Sequence, residues 1–509
     1  MSSPQQNITI AAPGFAGINT EISPTEQAPQ FAAIADNCVI DRYGRLGSRK
    51  GFRTLTTTVP PSIGFDDINL STIHAHLDVL GFETVLSAGD NRIFKGDITI
   101  TDETPVGATI TNDHWQMLSF NDDCYMLQVD HTPIVYDASA DTITEQAGIP
   151  AGSCGLAAFG RLWVAGVRNA DNIIHWSALL DGDNFTTGDT GTINVEEYWP
   201  SGYDTITGLV AHNGRLIVFG KQNTLVFANA DGDPAGEGGL TLEDTIANIG
   251  CIARDTIEST GSDVLFLDYT GVRSLSRTVT QNSLPIGEVS ANVQKSIQES
   301  IVQEAVKGEL GARYSAVEGF YLLVFKTSMT VYCFDTRQVG QAGDMRATTW
   351  PSSGTVSSAI RPSDGAMLLG GVGAVGLYDG YLDAGLPYKM RYFTNPLSFG
   401  DSTKLKFPKQ VDLTLLAGTS GTANVLWAFD YGSTYRSRTI SLTGVGEIAE
   451  FNVSEYGLSE YTAGIQLSRK KANVGGSGVV VQIGVELDIE GAAFSLQEIN
   501  IQTLIGRMV

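Results

Sequence analysis

The sequence is short of positive charge, of histidine and of paired cysteine. Lys and Arg number 32 against 56 Asp and Glu, which leaves a formal net charge of −24. Proteins grip a polyanion through Lys and Arg that displace its counterions, so this balance works against broad nucleic-acid affinity. Transient contact stays open, because a wall that repels phosphate lets a duplex slide; acidity also serves plain solubility. The five cysteines (Cys38, Cys124, Cys154, Cys251, Cys333) are odd in number, far apart and free of any CxxC. That pattern points away from a disulfide framework and toward folding in a reducing cytoplasm. The segment MSSPQQNITIAAPG has neither a basic n-region nor an apolar h-region, so no signal peptide is expected. Dense apolar runs such as Phe320–Phe325 are too short to cross a bilayer, and no stable membrane insertion is expected. GxSxG, HExxH and P-loop motifs are missing as well.

What the chain has in quantity is glycine, 57 residues scattered among β-branched and aromatic runs. Such scatter suits many tight turns between short strands, since Gly enters positive φ cheaply. With 509 residues, 42% hydrophobic and 17% charged, the chain is expected to fold into roughly two to four packed domains. Residues 1–36 are rich in Gly, Pro, Ala and Gln without a sustained period and read as an extended arm. From about residue 84 a unit recurs: apolar strand, turn, apolar strand. It begins at Thr84, Cys124, Gly160, Gly214, Asp263, Phe320 and Ala366, seven hairpins at propeller-blade spacing. The competing arrangement is a set of sandwiches without circular closure, since no WD or kelch signature marks the blades. In GEVSANVQKSIQESIVQEAVKG the residues Val289, Val293, Ile297, Ile301 and Ala305 recur every four positions up to Gly308, which predicts one amphipathic helix. Beyond Gly380 alternating segments such as KQVDLTLLAG and VVVQIGVELDIEG predict an antiparallel domain. The expected fold is therefore mainly β: arm and Arg-rich hairpin over 1–60, a β-propeller over 61–390, and a β-sandwich-like domain over 391–509.

Chemistry-bearing motifs are weak. Gly371, Gly373 and Gly376 spell GxGxxG, but LYDGYLDAG follows where a phosphate-binding helix would have to start. Asn229, Asp231 and Asp233 open like a calcium loop, yet Pro234 and Leu240 occupy the positions of its Gly and Glu. His74 and His76 share a strand face without a third ligand nearby and read as structural. With so many acids, close carboxylate pairs are inevitable and single out no glycosidase site. No cofactor and no catalytic residue is assigned. The concentrated feature is NCVIDRYGRLGSRKGFRTL, Asn37–Leu55, which gathers Arg42, Arg45, Arg49, Lys50 and Arg53 within twelve positions. These cations are candidates for an interface with phosphate or with acidic neighbouring subunits, or are plain solvated charge.

The same stretch, with GINTEISP before it, resembles the opening of the tail nozzle proteins (tail tubular protein B) of short-tailed bacteriophages. GRLWVAGVRNADNIIHWSALLDGDNF, DTITGLVAHNGRLIVFGKQNTLVFA and IGCIARDTIESTGSDVLFLDYTGVRSLSR resemble that family's propeller core in the same order. The likeness runs from about Gly14 to Arg277 and marks a fold lineage, not a reaction. It implies a non-enzymatic homohexameric ring below the portal and adaptor proteins, bearing tail fibres or tailspikes, located in the virion tail and assembled in the bacterial cytoplasm. Double-stranded DNA would pass along its axis, held back by inward loops until ejection. Asp231, Asp233 and Glu237 are candidates for such a channel loop, and the Arg-rich segment for the adaptor or subunit contact. Related labels are packaged-DNA stabilisation and head completion. A glycan-binding or glycan-cleaving propeller and a protein-binding scaffold are the rival classes.

Overall fold

A computed structural model of the chain describes residues 5–59, 67–111, 114–236, 239–276, 288–339, 344–351, 354–417, 421–442 and 467–508. Each of the seven hairpins lies in its own antiparallel blade, and the sixth blade continues into a longer sheet. First strands are Thr72–Leu77, Gln116–Phe120, Cys154–Ala158, Ile206–His212, Glu258–Ser259, Gly311–Ser315 and Ser357–Ile360, and in each sheet the following strands pair in chain order. First strands of most neighbouring blades touch, the fourth blade's meets the fifth blade at the turn Arg254–Thr256, and Ser357–Ile360 returns to Thr72–Leu77, so the ring closes. The chain is a seven-bladed β-propeller joined to a β-sandwich.

Turn chemistry and strand period produce the blades. At the first blade's middle turn Asp90 and Asn91 both have positive φ, as do Asn213 and Gly214 in the fourth blade, the geometry that matches the twist of a two-residue hairpin. Blade strands are apolar on both faces because each face meets another blade. In Phe320–Phe325 the side chains of Tyr321, Leu323 and Phe325 pack toward the fifth blade, and those of Phe320, Leu322 and Val324 toward the seventh. Apolar clusters fill every junction, including blades seven and one, where Leu368 and Leu377 meet Ile73 and Val85. The five cysteines are free and buried.

The seventh blade borrows its outer strand. Phe52–Thr54 pairs with Val375–Tyr378, placing Gly376 opposite Thr54 and Tyr378 opposite Phe52. A Cβ on Gly376 would lie 2.5 Å from the Phe52 ring, so Gly there makes room for the closing strand. The GxGxxG letters are thus a hairpin, with Gly373 at φ +65° in its turn.

The N-terminal residues are not a loose arm. Gln5–Ala11 pairs along its length with Phe494–Met508, and the hairpin Cys38–Ile40/Leu46–Ser48 joins the same sheet, which continues through Lys404–Ala417 to Ser468–Asn473. The second sheet is longer. The sixth blade's last strand, Met345–Pro351, is followed by Ala32–Asp36, Tyr388–Thr394, Val481–Ile489, Thr422–Phe429 and Arg436–Ser441, so propeller and sandwich share nine continuous strands. Val411, Leu413, Leu496 and Ile501 from one sheet meet Tyr392, Val425, Ile483 and Val485 from the other.

The predicted helix spans Gln294–Gln303. Val289, Val293, Ile297 and Ile301 are buried as the stripe requires, but Ala305 is exposed and the helix stops before Gly308. Glu304 ends it: its backbone is extended, and its carboxylate accepts hydrogen bonds from Thr327 N and Oγ1.

Phe52 is the apolar anchor of the borrowed strand. Phe52→Ala is expected to lower unfolding stability by ~3–5 kcal/mol, read as an earlier urea midpoint.

Candidate functional site

The Arg-rich segment stitches the two domains together. Its first half lies in the sandwich hairpin and its last residues in the seventh blade. Between them Gly51 passes so near the Leu382 carbonyl that a Cβ would sit 2.0 Å from the oxygen. Arg49 stands at the crossing. Its guanidinium makes a two-pronged pair with Asp383 at 2.8 and 2.5 Å, donates to Asn37 Oδ1 at 2.8 Å, and lies 4.2 Å from the Tyr388 ring centre. Asp383 also accepts from Phe52 N at 3.2 Å, so one carboxylate fixes both the cation and the closing strand.

Lys50 pairs with Glu318 at 2.5 Å, Arg53 with Asp379 at 2.9 Å and Arg45 with Asp41 at 2.6 Å. Arg42 is exposed beside the Tyr43 ring, 4.8 Å away. The expectation of a five-cation docking surface is therefore corrected for Arg45 and Arg49, which are 4% and 3% exposed. A buried guanidinium needs a carboxylate at hand, and the chain supplies each from within. Density of charge along the sequence carries no information about which way the strands turn it.

A second polar concentration was not singled out from sequence. The first strands of all seven blades surround an axial cavity of about 390 Å³, and charged groups from non-adjacent parts of the chain meet there. Arg254 donates to the Ser153 carbonyl of the third blade and, at 3.3 Å, to the His114 carbonyl ahead of the second. Arg313 pairs with Glu258 at 2.8 Å and donates to the Ser358 carbonyl of the seventh blade. Lys326 reaches the Ser71 carbonyl ahead of the first blade at 3.3 Å. His74 Nε2 and His76 Nδ1 both lie on Ser119 Oγ, at 2.9 and 2.8 Å.

Electrostatics follow from enclosure. Burial holds the His74 imidazole neutral down to about 3, helped by Arg313 and His76. Burial alone would raise the Asp255 carboxyl, but Arg254 and His114 outweigh it and hold it well below the usual range. Burial raises Glu258 against the pull of Arg313, and lowers the Lys326 ammonium. Arg254, Arg313 and Lys326 each direct hydrogen bonds to another blade's backbone, so the cavity ties inner strands together. A sequence signal for it lies only in the first strands' polar residues, whose shared axis no spacing reveals.

The loop candidates fall elsewhere. Asp231 and Asp233 are exposed in the connection between Thr224–Ala228 and Thr241–Ile246, at the fourth blade's rim, where Asp233 Oδ1 caps Ala235 N at 3.1 Å. Glu237 lies outside the described residues.

No protein-family model matches the chain, and no curated protein matches it. Among solved structures it is similar to a chain of the mitotic checkpoint complex (11% identity, 65% of this chain and 93% of that one, TM-score 0.37). It is similar also to the Neurospora crassa Pan2 WD40 domain (10% identity, 65% and 94%, TM-score 0.38). A third is the extracellular domain of a hybrid two-component system from B. thetaiotaomicron (10%, TM-score 0.41), of which the match covers 39% against 65% of this chain. At such scores the likeness assigns no function.

Two outcomes are expected. Arg49→Ala, which strands a partly buried carboxylate, should lower stability by ~3–5 kcal/mol, whereas Arg53→Ala at a half-exposed pair should stay within about 1 kcal/mol, both read by urea unfolding. His74 takes up its proton near 6.5 when unfolded and near 3 when folded, so the unfolded chain binds more protons between those values and stability rises with pH across them. His74→Gln should flatten that rise by up to about 1.4 kcal/mol per pH unit, measured from about pH 4 to 7.

Proposed function

We propose that this chain is a structural wall subunit of a short phage tail: a homohexameric nozzle ring that forms the distal DNA conduit, retains the packaged genome and opens for ejection. Its partners would be the adaptor ring below the portal and the tail fibres or tailspikes, with duplex DNA in passing contact. The particle's tail is its place, after assembly in the bacterial cytoplasm.

The observation that carries this reading is how the chain treats its cations. Most of the described Arg and Lys side chains are engaged by carboxylates of the same chain, at the stitch, at the axis and along blade rims. What is left toward solvent is an excess of acid, a surface that cannot release counterions from DNA by binding it. The motifs that resemble tail nozzle proteins form blades three to five, framework rather than chemistry. A glycan-cleaving propeller is less well supported, because the axial charged groups hold blades together. A packaged-DNA stabilisation role would use the same wall.

Negative-stain electron microscopy of the purified chain should show sixfold rings with a central channel, and gel-shift assays at ~150 mM salt should show no retained duplex. Stable monomers at every concentration, or tight duplex capture, would overturn the proposal.

A further inference from the structure

One face of the propeller carries a rigid apolar knob set among carboxylates. The connections between first and second strands and between third and fourth strands emerge on this face. In the first blade's connection Val79, Leu80 and Phe82 are 71%, 78% and 69% exposed, and in the third blade's Leu179 and Leu180 are 54% and 66% exposed. Neither loop is loose. Asp78 Oδ1 accepts from Leu80 N at 2.9 Å and from Phe82 N at 2.7 Å, and Asp122 Oδ1 from Val79 N at 3.0 Å. Asn121 Nδ2 donates to the Leu180 carbonyl at 2.9 Å, so loops of three blades lie edge to edge. Leu180 itself sits at φ +59°, a conformation that Gly or Asn adopts far more readily. A strained leucine presented to solvent points to a role outside the monomer's own packing.

Carboxylates ring the knob. Asp122, Asp123, Asp181 and Asp183 flank it, while the cations on this face are committed elsewhere: Lys95 to Asp141, Arg161 to Asp189 and Arg361 to Glu83 and Asp364. Partial burial, then Asp137, Asp183 and Asp122, push the Asp123 carboxyl up to about 6. The fitting partner is apolar with a cationic rim.

The chain carries such a surface at its other end. Among the described residues Arg436–Ser441 and Ser468–Asn473 are the outer strands of the two sandwich sheets, and they lie side by side. They expose Arg436, Arg438 and Lys471, next to Tyr431 and Leu467, which are 62% and 52% exposed. Resting on the ring proposed above, we infer that the acidic apolar propeller face of one subunit docks on the basic sandwich edge of the next copy of this chain. Unlike patches in contact make a heterologous interface, the kind that closes into a ring.

The test uses two full-length variants, Asp181→Lys/Asp183→Lys on the face and Arg436→Glu/Arg438→Glu on the edge, followed by sedimentation velocity and electron microscopy. Each alone should sediment as a monomer, with the ring lost. Mixed in equal amounts they should restore rings of alternating chains, because every interface then joins opposite charges. Rings from either variant alone, or a mixture that stays monomeric, would overturn the docking assignment while the wild-type ring stands. A wild-type chain that forms no ring would overturn the assignment and the nozzle reading together. Leu80→Ser, which changes one exposed side chain and leaves the charges alone, should weaken ring assembly at least about tenfold if the knob is buried there; unchanged assembly would count against it.

Discussion

The pair between Arg49 and Asp383 sits at the point where propeller and sandwich are joined. Asp383 receives the guanidinium on one side and the amide of Phe52 on the other. The strand that closes the seventh blade therefore starts where the sandwich's hairpin ends. A propeller needs its last blade completed because an open edge would expose unpaired backbone groups and the apolar face of its neighbour. Here that completion and the anchoring of the second domain are a single event.

The nine-stranded sheet crosses this junction through one parallel pair, Asp36 with Thr349. Ala32–Asp36 lies between the sixth blade's last strand and Tyr388–Thr394, so backbone hydrogen bonds run from propeller into sandwich without a linker between them. Domains that meet across polar surfaces tend to move against one another. A shared sheet resists such movement, since displacement would break a ladder.

How much of this was legible depends on where pairing partners lie in the chain. Central hairpins of the blades could be read because partner strands are neighbours and turns such as Asp90-Asn91 declare themselves. The strand over Gln5–Ala11 could not, because its partner is Phe494–Met508 and its own residues show no buried period. The helix was visible from its stripe, but its end was not, since Glu304 stops it through a contact with Thr327. Five cations in twelve positions suggested a surface; strand alternation buries Arg45 and Arg49, and three carboxylates from residues 318–383 pair with Arg49, Lys50 and Arg53. The axial cluster was invisible for the same reason: His74, His114, Arg254, Arg313 and Lys326 are gathered only by ring closure.

That dependence on distant partners shapes how the chain can be made. Blades one to six can form in order behind the ribosome, each from adjacent residues, but Phe52 must wait for Val375–Tyr378, and Gln5–Ala11 for Phe494–Met508. Segments made before the blades are among the last to find their places. Until then the first blade's inner side and the sandwich's edge stay open together, so the nascent chain is most vulnerable to aggregation just before its synthesis reaches the strands that receive them.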